Sequence, residues 1–375
     1  MKIGITCYPT AGGSGVVATE LGHALAEKGH EVHFVSYSRP FRLETEGTGI
    51  VFHKVKTMTY PLFKYPPYSL ALAVRMAEVV RREKLDLLHV HYAIPHATSA
   101  FLANQILGES RVKVVTTLHG TDITLVGSEE SFFEITKFSI ERSDAVTAVS
   151  RFLARETREK LRVEKPIDVI PNFVNPRVFS GTPDESLRDR LDLDEGPVLM
   201  HISNFRKVKN VRDVVRLLAR VREATGAQLL LVGDGPERVP CRILAEELGV
   251  QDRIHFLGNR IAVHRILPFA DLLLLPSTVE SFGLVALEAM ASGVPVVGYD
   301  GGGLPEVVRN GVDGALAPLG DLERMIEMTR ELLQNPARRR EMSRAAKERA
   351  AADFSTEKIT AEYEAIYQRV IREGA

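Results

Sequence analysis

The chain has 375 residues, 45% hydrophobic and 26% charged, with a formal net charge of -1. That length predicts two domains, and the near-neutral charge excludes a global basic field for nucleic acid or an anionic membrane. Two cysteines, Cys7 and Cys241, exclude a disulfide framework, and their spacing fits no metal site; a reduced cytoplasm is the simplest home.

The N-terminus reads as a first strand over residues 2–8, not as a signal peptide. No run approaches the roughly 18 apolar residues of a membrane span. The cluster Gly12-Gly13-Ser14-Gly15 follows, before a helix over 16–28. Glycines there let the backbone approach an anion at a helix start, or simply make a tight turn. Strands are expected at 31–36, 85–91, 113–118 and 145–149, with helices at 68–83 and 131–143 between them. His89 and His91 stand two apart on one strand and share a face. They can begin a metal site, but no third ligand is evident, so they read as scaffold. His119-Gly120-Thr121-Asp122 follows a strand. A histidine there can exchange a proton near neutral pH, hydrogen-bond a sugar hydroxyl, or cap a structure.

A second series of strands is expected at 198–203, 228–233, 254–257, 272–276 and 295–299, with helices at 211–225, 241–248, 282–290 and 322–333. The basic loop Asn204-Phe205-Arg206-Lys207-Val208-Lys209 can hold a diphosphate or stand solvated. Gly233-Asp234-Gly235-Pro236 reads as a turn. Glu280 and Glu288 flank Phe282-Gly283-Leu284, whose amides open a helix toward an anion. On this reading Glu288 lies about two turns along and can accept from a ribose; the alternative is an amphipathic helix with one exposed glutamate.

The fold class is therefore α/β: two doubly wound Rossmann-like domains facing across a cleft, which suits a two-substrate transfer. The first is expected over 1–170 and the second over 171–355, with a junction in the stretch 167–184. A last helix at 356–372, apolar at Ile359, Tyr363, Ile366, Tyr367 and Val370, is expected to cross back to the first domain.

At these residues the chain resembles a retaining glycosyltransferase of the GT-B fold, glycosyltransferase family 4. The glutamate-x7-glutamate pair, the Gly-Asp-Gly-Pro turn and the basic loop carry the resemblance, which spans the chain. It implies a first domain for the acceptor and a second for a nucleotide-sugar. It implies that Gly13, Ser14 and Gly15 approach the transfer centre, that His119 contacts the donor sugar and that Arg260 lies near the base. Arg206 and Lys209 neutralise the departing diphosphate; Glu280, Phe282, Gly283 and Leu284 hold sugar and phosphate, and Glu288 holds the ribose. Many relatives have Gly-Arg where this chain has Ser203-Asn204, so the arginine is displaced to Arg206.

The segments 7–22, 172–175 and 201–206 are similar to a narrower branch of that family. That likeness implies transfer of N-acetylglucosamine from UDP-GlcNAc to the hydroxyl of L-malate, the first step of bacillithiol biosynthesis. Ser14, Tyr92, Thr117, Thr121, Asn204 and Arg206 are then the candidate acceptor pocket. No cofactor and no metal is expected: Asp192 and Asp194 precede a strand, at its wrong end. No nucleic-acid or membrane partner is expected, and a homo-oligomer is compatible with this reading. The rival readings are a family relative acting on a lipid or polysaccharide, a sugar-nucleotide epimerase, and a silent nucleotide-sugar-binding protein.

Overall fold

The computed structural model describes residues 1–10, 12–58, 65–126, 129–179, 183, 185–191, 193–260 and 262–373. The chain divides into two units, Met1–Asn172 with Thr356–Ala375, and Phe173–Ser355.

The first unit is built on seven strands: β1 (Lys2–Thr6), β2 (Glu31–Ser36), β3 (Ile50–Lys54), β4 (Leu87–His91), β5 (Lys113–Leu118), β6 (Ala145–Ala148) and β7 (Ile167–Val169). They pair in parallel in the order β3-β2-β1-β4-β5-β6-β7. Such sheets are covered on both faces, and β4 is buried at every position. The helices are α1 (Gly13–Glu27), α2 (Tyr68–Glu83), α3 (Thr98–Leu107), α4 (Glu130–Glu141) and α5 (Arg151–Leu161). α5 starts where the Ser150 hydroxyl accepts from Leu153 N at 3.0 Å, a serine cap that satisfies an otherwise unpaired amide.

The second unit carries β8 (Val198–Ile202), β9 (Gln228–Val232), β10 (Ile254–Gly258), β11 (Leu272–Leu275), β12 (Val296–Tyr299) and β13 (Gly314–Ala317). Their order is β10-β9-β8-β11-β12-β13, again parallel. The helices are α6 (Pro176–Phe179), α7 (Glu185–Arg190), α8 (Val211–Thr225), α9 (Arg238–Glu247), α10 (Leu284–Ala291), α11 (Leu304–Val307), α12 (Leu322–Gln334) and α13 (Pro336–Asp353). α8 buries Val211, Val214, Val215, Leu217, Leu218 and Val221 along one face and stops at Gly226 in the left-handed region. α14 (Thr356–Arg372) then rejoins the first unit, resting on α1 and β5 with Ile359, Tyr363, Ile366, Tyr367 and Val370 buried.

The sequence reading placed no strand at β3, β7 or β13 and no helix at α3, α5 or α13. The stretch 167–184 is not all linker: β7 occupies its start, while residues 180–182 and 184 lie outside those described. Among the described residues no helix is long and apolar enough to cross a membrane.

Candidate functional site

In a parallel sheet the loops at the carboxyl ends of the strands carry the ligand chemistry.

In the first unit the loop after β1 runs into α1. A Cβ on Gly15 would stand 2.6 Å from the Thr10 carbonyl oxygen and 2.8 Å from that of Tyr8, so only glycine fits where the chain doubles back. Ser14 Oγ lies 2.8 Å from Tyr92 Oη. The Tyr92 ring meets Tyr8 edge-on at 5.4 Å and His119 at 5.3 Å. Tyr92 adopts φ +86°, outside the usual range for a non-glycine residue, and its amide donates to the Thr117 carbonyl at 2.9 Å.

Asp122 ties the loop after β4 to the one after β5, accepting from Ala93 N and Gly120 N, each at 3.0 Å. Burial pushes its carboxyl up to about 6, against those amide bonds, which lower it. His119 Nε2 stands 2.8 Å from His91 Nδ1. Desolvation brings His119 down to about 3, and His96 beside it adds to the effect. The neutral ring so favoured can donate or accept a hydrogen bond.

One further candidate moves. Thr117 is fully buried, and its hydroxyl meets His89 Nε2 and Thr147 Oγ1 at 2.7 Å and Tyr363 Oη at 3.4 Å. It supports Tyr92 from below and is not open to an acceptor. His89 and His91 are scaffold, as read, stacked 4.5 Å apart, with Tyr367 Oη 2.7 Å from His89 Nδ1. Thr121 is exposed, and its side chain hydrogen-bonds to Tyr92.

In the second unit the basic loop is organised by a residue the sequence reading passed over. His201, fully buried and held neutral by desolvation at about 4, meets the Leu274 carbonyl through Nδ1 and Ser203 Oγ through Nε2, both at 2.8 Å. A carbonyl only accepts, so Nδ1 carries the proton and Nε2 accepts from Ser203. Phe205 N in turn donates to Ser203 Oγ at 3.2 Å. Phe205 is fully buried, and Asn204 and Arg206 on either side are exposed. The serine in place of the family glycine is thus a structural anchor. A strand-end histidine two residues before a serine was the signal available for it.

Lys209 Nζ lies 2.6 Å from Glu280 Oε1, which also accepts from the Ser277 hydroxyl at 2.7 Å. Thr278 N donates to the Val208 carbonyl at 2.9 Å, stitching the two loops together. Beneath Glu280 lies Gly302, at φ +65°. A Cβ there would stand 2.2 Å from the Glu280 carbonyl oxygen. The glycine run 301–303 is therefore a support for Glu280 that the sequence reading omitted.

α10 begins at Leu284, after Gly283 in the left-handed region at φ +99°. Phe282 and Gly283 precede the helix, a correction to a start at 282. Glu288 is consequently about one turn in, not two. It is 8% exposed on a helix otherwise lined by apolar residues, which removes the alternative of a solvated glutamate. Arg260 is exposed and follows the edge strand β10, two strands from β8. Asp192 lies outside the described residues; Asp194 pairs with Arg253 at 2.5 Å.

The first part of the chain matches the family described as Glycosyltransferase Family 4 over residues 11–178, and the second matches Glycosyl transferases group 1 over 184–349. N-acetyl-alpha-D-glucosaminyl L-malate synthase of Bacillus anthracis is 50% identical over 374 residues, covering 100% of this chain and 98% of that one. A GDP-mannose-dependent monoacylated alpha-(1-6)-phosphatidylinositol monomannoside mannosyltransferase of Corynebacterium glutamicum is 30% identical, covering 80% of this chain and 82% of its own. Among solved structures, Anabaena Alr3699/HepE in complex with UDP and glucose superposes with a TM-score of 0.81 at 18% identity, over 98% of this chain and 100% of that one. Sucrose-phosphate synthase from Thermosynechococcus elongatus gives 0.80 at 23% identity, over the full length of both. With full-length identity of this order and two Rossmann-like units of the GT-B type, the chain belongs to glycosyltransferase family 4.

Proposed function

We propose that this glycosyltransferase moves N-acetylglucosamine from UDP-GlcNAc to the hydroxyl of L-malate, with retention and without a metal, as the first step of bacillithiol biosynthesis. The observation that carries the reading is the 50% identity, over the whole chain, to the Bacillus anthracis enzyme of that name. The complex of Anabaena Alr3699/HepE with UDP supports a uridine donor only through the shared fold.

On this reading the second unit holds the nucleotide-sugar. Lys209 and Arg206 neutralise the departing diphosphate, Glu280 and the amides of Phe282, Gly283 and Leu284 take the sugar and phosphate, Glu288 takes the ribose, and Arg260 lies near the base. In the first unit Gly13, Ser14 and Gly15 are assigned to the donor, Ser14, Tyr92 and Thr121 to the acceptor, and His119 hydrogen-bonds the sugar; in the second, Asn204 and Arg206 are assigned to the acceptor. In the transfer the bond from the anomeric carbon to the diphosphate oxygen breaks. A bond to the malate hydroxyl oxygen forms on the same face, and the hydroxyl proton passes to the leaving phosphate. Positive charge placed beforehand at that phosphate lowers the barrier.

The test is UDP and GDP release from a panel of nucleotide-sugars, with and without L-malate, followed by NMR of the product. Malate-dependent UDP release and an axial glycoside support the reading. Release without any acceptor points to a hydrolase, and acceptor-free conversion of one UDP-sugar into another points to an epimerase. Transfer only to lipid or glycan rejects malate, and inversion rejects same-face attack.

A further inference from the structure

The buried imidazoles of the first unit have partners that decide where their protons sit. His96 Nδ1 meets the His91 carbonyl oxygen. A carbonyl only accepts, so the His96 proton is on Nδ1. His91 Nδ1 and His119 Nε2 are 2.8 Å apart, and one of them must donate. Desolvation holds both rings well below the usual histidine range, so each carries a single proton.

The second nitrogen of His91 settles the direction. His91 is fully buried, and among the described residues its Nε2 has no hydrogen-bond partner. If His119 were the donor, the His91 proton would have to sit on Nε2, as a buried N–H with no acceptor. If His91 is the donor, Nε2 is only an unused lone pair. Buried N–H groups without an acceptor are the rarer and costlier case.

We infer that His91 is a positioning residue, donating Nδ1–H to His119 Nε2 and so holding His119 as the tautomer protonated on Nδ1. His119 then presents an uncharged N–H, suited to a hydroxyl or carbonyl oxygen of the donor sugar. The stack keeps His91 from turning. Its ring lies between His89, at 4.5 Å and 29°, and His119, at 5.1 Å and 24°. His89 is itself pinned by Thr117 and by Tyr367 of α14, each at 2.7 Å. The functional half of this inference rests on the reading that His119 faces the donor sugar; the proton placement does not.

The experiment uses tag-free, full-length protein labelled with 15N-histidine. Long-range proton–nitrogen correlation spectra at neutral pH report which nitrogen of each ring is protonated, with His91→Gln and His119→Gln spectra for assignment. The expected result is a protonated Nδ1 and a bare Nε2 on both His91 and His119. A proton on His119 Nε2, or a doubly protonated His119, overturns the assignment. The kinetic arm compares His91→Leu, which removes the donor, with His91→Asn, which keeps an amide N–H. His91→Leu should lower kcat/KM for the UDP-sugar about tenfold, the scale of one hydrogen bond. The KM for malate should hold, and His91→Asn should recover part of the loss. Wild-type kinetics in a folded His91→Leu enzyme overturn the positioning role. Absence of transfer with every donor rejects the proposed function instead, while the spectra still decide the tautomer.

Discussion

Lys209 Nζ and Glu280 Oε1 stand 2.6 Å apart, joining the loop after β8 to the loop after β11. The carboxylate, also bonded to Ser277, holds the ammonium in one place before any substrate arrives. A cation fixed in advance needs no reorganisation when charge builds on a leaving phosphate. Lys209→Ala should therefore cut kcat by about 10²–10³, or roughly 2.7–4 kcal/mol of transition-state stabilisation by analogy with a lost oxyanion donor. The pair is partly exposed, so the change in melting temperature should be small. Wild-type turnover in the folded variant would count against this role.

Glu288 should behave differently. It sits buried one turn into α10 and is assigned here to the ribose rather than to the reacting bond. Contacts remote from that bond are nearly equal in the ground and transition states. Glu288→Gln should raise the donor KM with little change in kcat. A large fall in kcat at saturating donor would move Glu288 to the reaction centre.

Arg206 is exposed, and among the described residues its guanidinium has no partner, so it is free to grip a ligand. L-malate should be glycosylated and succinate should not, for want of a hydroxyl. Arg206→Ala should raise the malate KM sharply if it holds a carboxylate. A fall in kcat with malate KM unchanged would assign it to the diphosphate alone.

Turnover should persist in excess EDTA, since Lys209, Arg206 and the loop amides are proposed to supply the positive field. Among the described residues the one cluster with metal-ligand spacing is His33, His53 and Glu83. It lies on β2, β3 and the end of α2, and Arg82 already donates to His53 Nδ1 at 3.1 Å. Loss of activity in EDTA, restored by magnesium or manganese, would show a metal requirement.

Stability should fall as pH drops below the ordinary histidine value of 6.5. His89 is lowered to about 3 and His96 and His201 to about 4, all by burial. For these groups the unfolded chain binds protons first, so their stabilisation is complete above 6.5 and is lost toward the folded values. Each contributes a slope of about 1.4 kcal/mol per pH unit in that window. Asp122 acts in the opposite sense: its folded value of about 6 exceeds the ordinary 3.8, so protonation there favours the native state. Three rings outweigh one carboxyl. Urea midpoints measured between pH 7 and pH 4 should therefore decline, and a flat series would contradict the neutral rings.

The parallel strands were legible where burial on both faces leaves an unbroken apolar run, as in Leu272–Leu275. The edge strand β3 escaped because its burial is patchy, and β13 because its four residues include Gly314 and two alanines. α13 escaped for another reason. Its inward face is only Met342, Ala346 and Ala350, four residues apart in a heavily charged segment, so periodicity gives almost no signal. Glu280 and Glu288 were visible by spacing, but not the left-handed Gly283 that shifts the helix start. The histidine column was not visible as a unit. It depends on the register of β4 against β5, which sets His91 opposite Thr117 and so brings the loop bearing His119 beside it. The strand-end position of Thr117 suggests a ligand contact, but position alone does not reveal which way a side chain faces, and its hydroxyl is buried against His89 and Thr147.

His89 takes one of its two hydrogen bonds from a residue 278 positions later in the chain. The first unit therefore cannot be completed during synthesis until α14 has left the ribosome, whereas Phe173–Ser355 is contiguous and is whole before then. The half made first finishes last. Until α14 emerges, His89 of β4 and Thr117 of β5 lack Tyr367 and Tyr363 over a buried polar cluster. A stop codon placed before α14 should thus act as a folding defect of the N-terminal half, seen as loss of soluble protein.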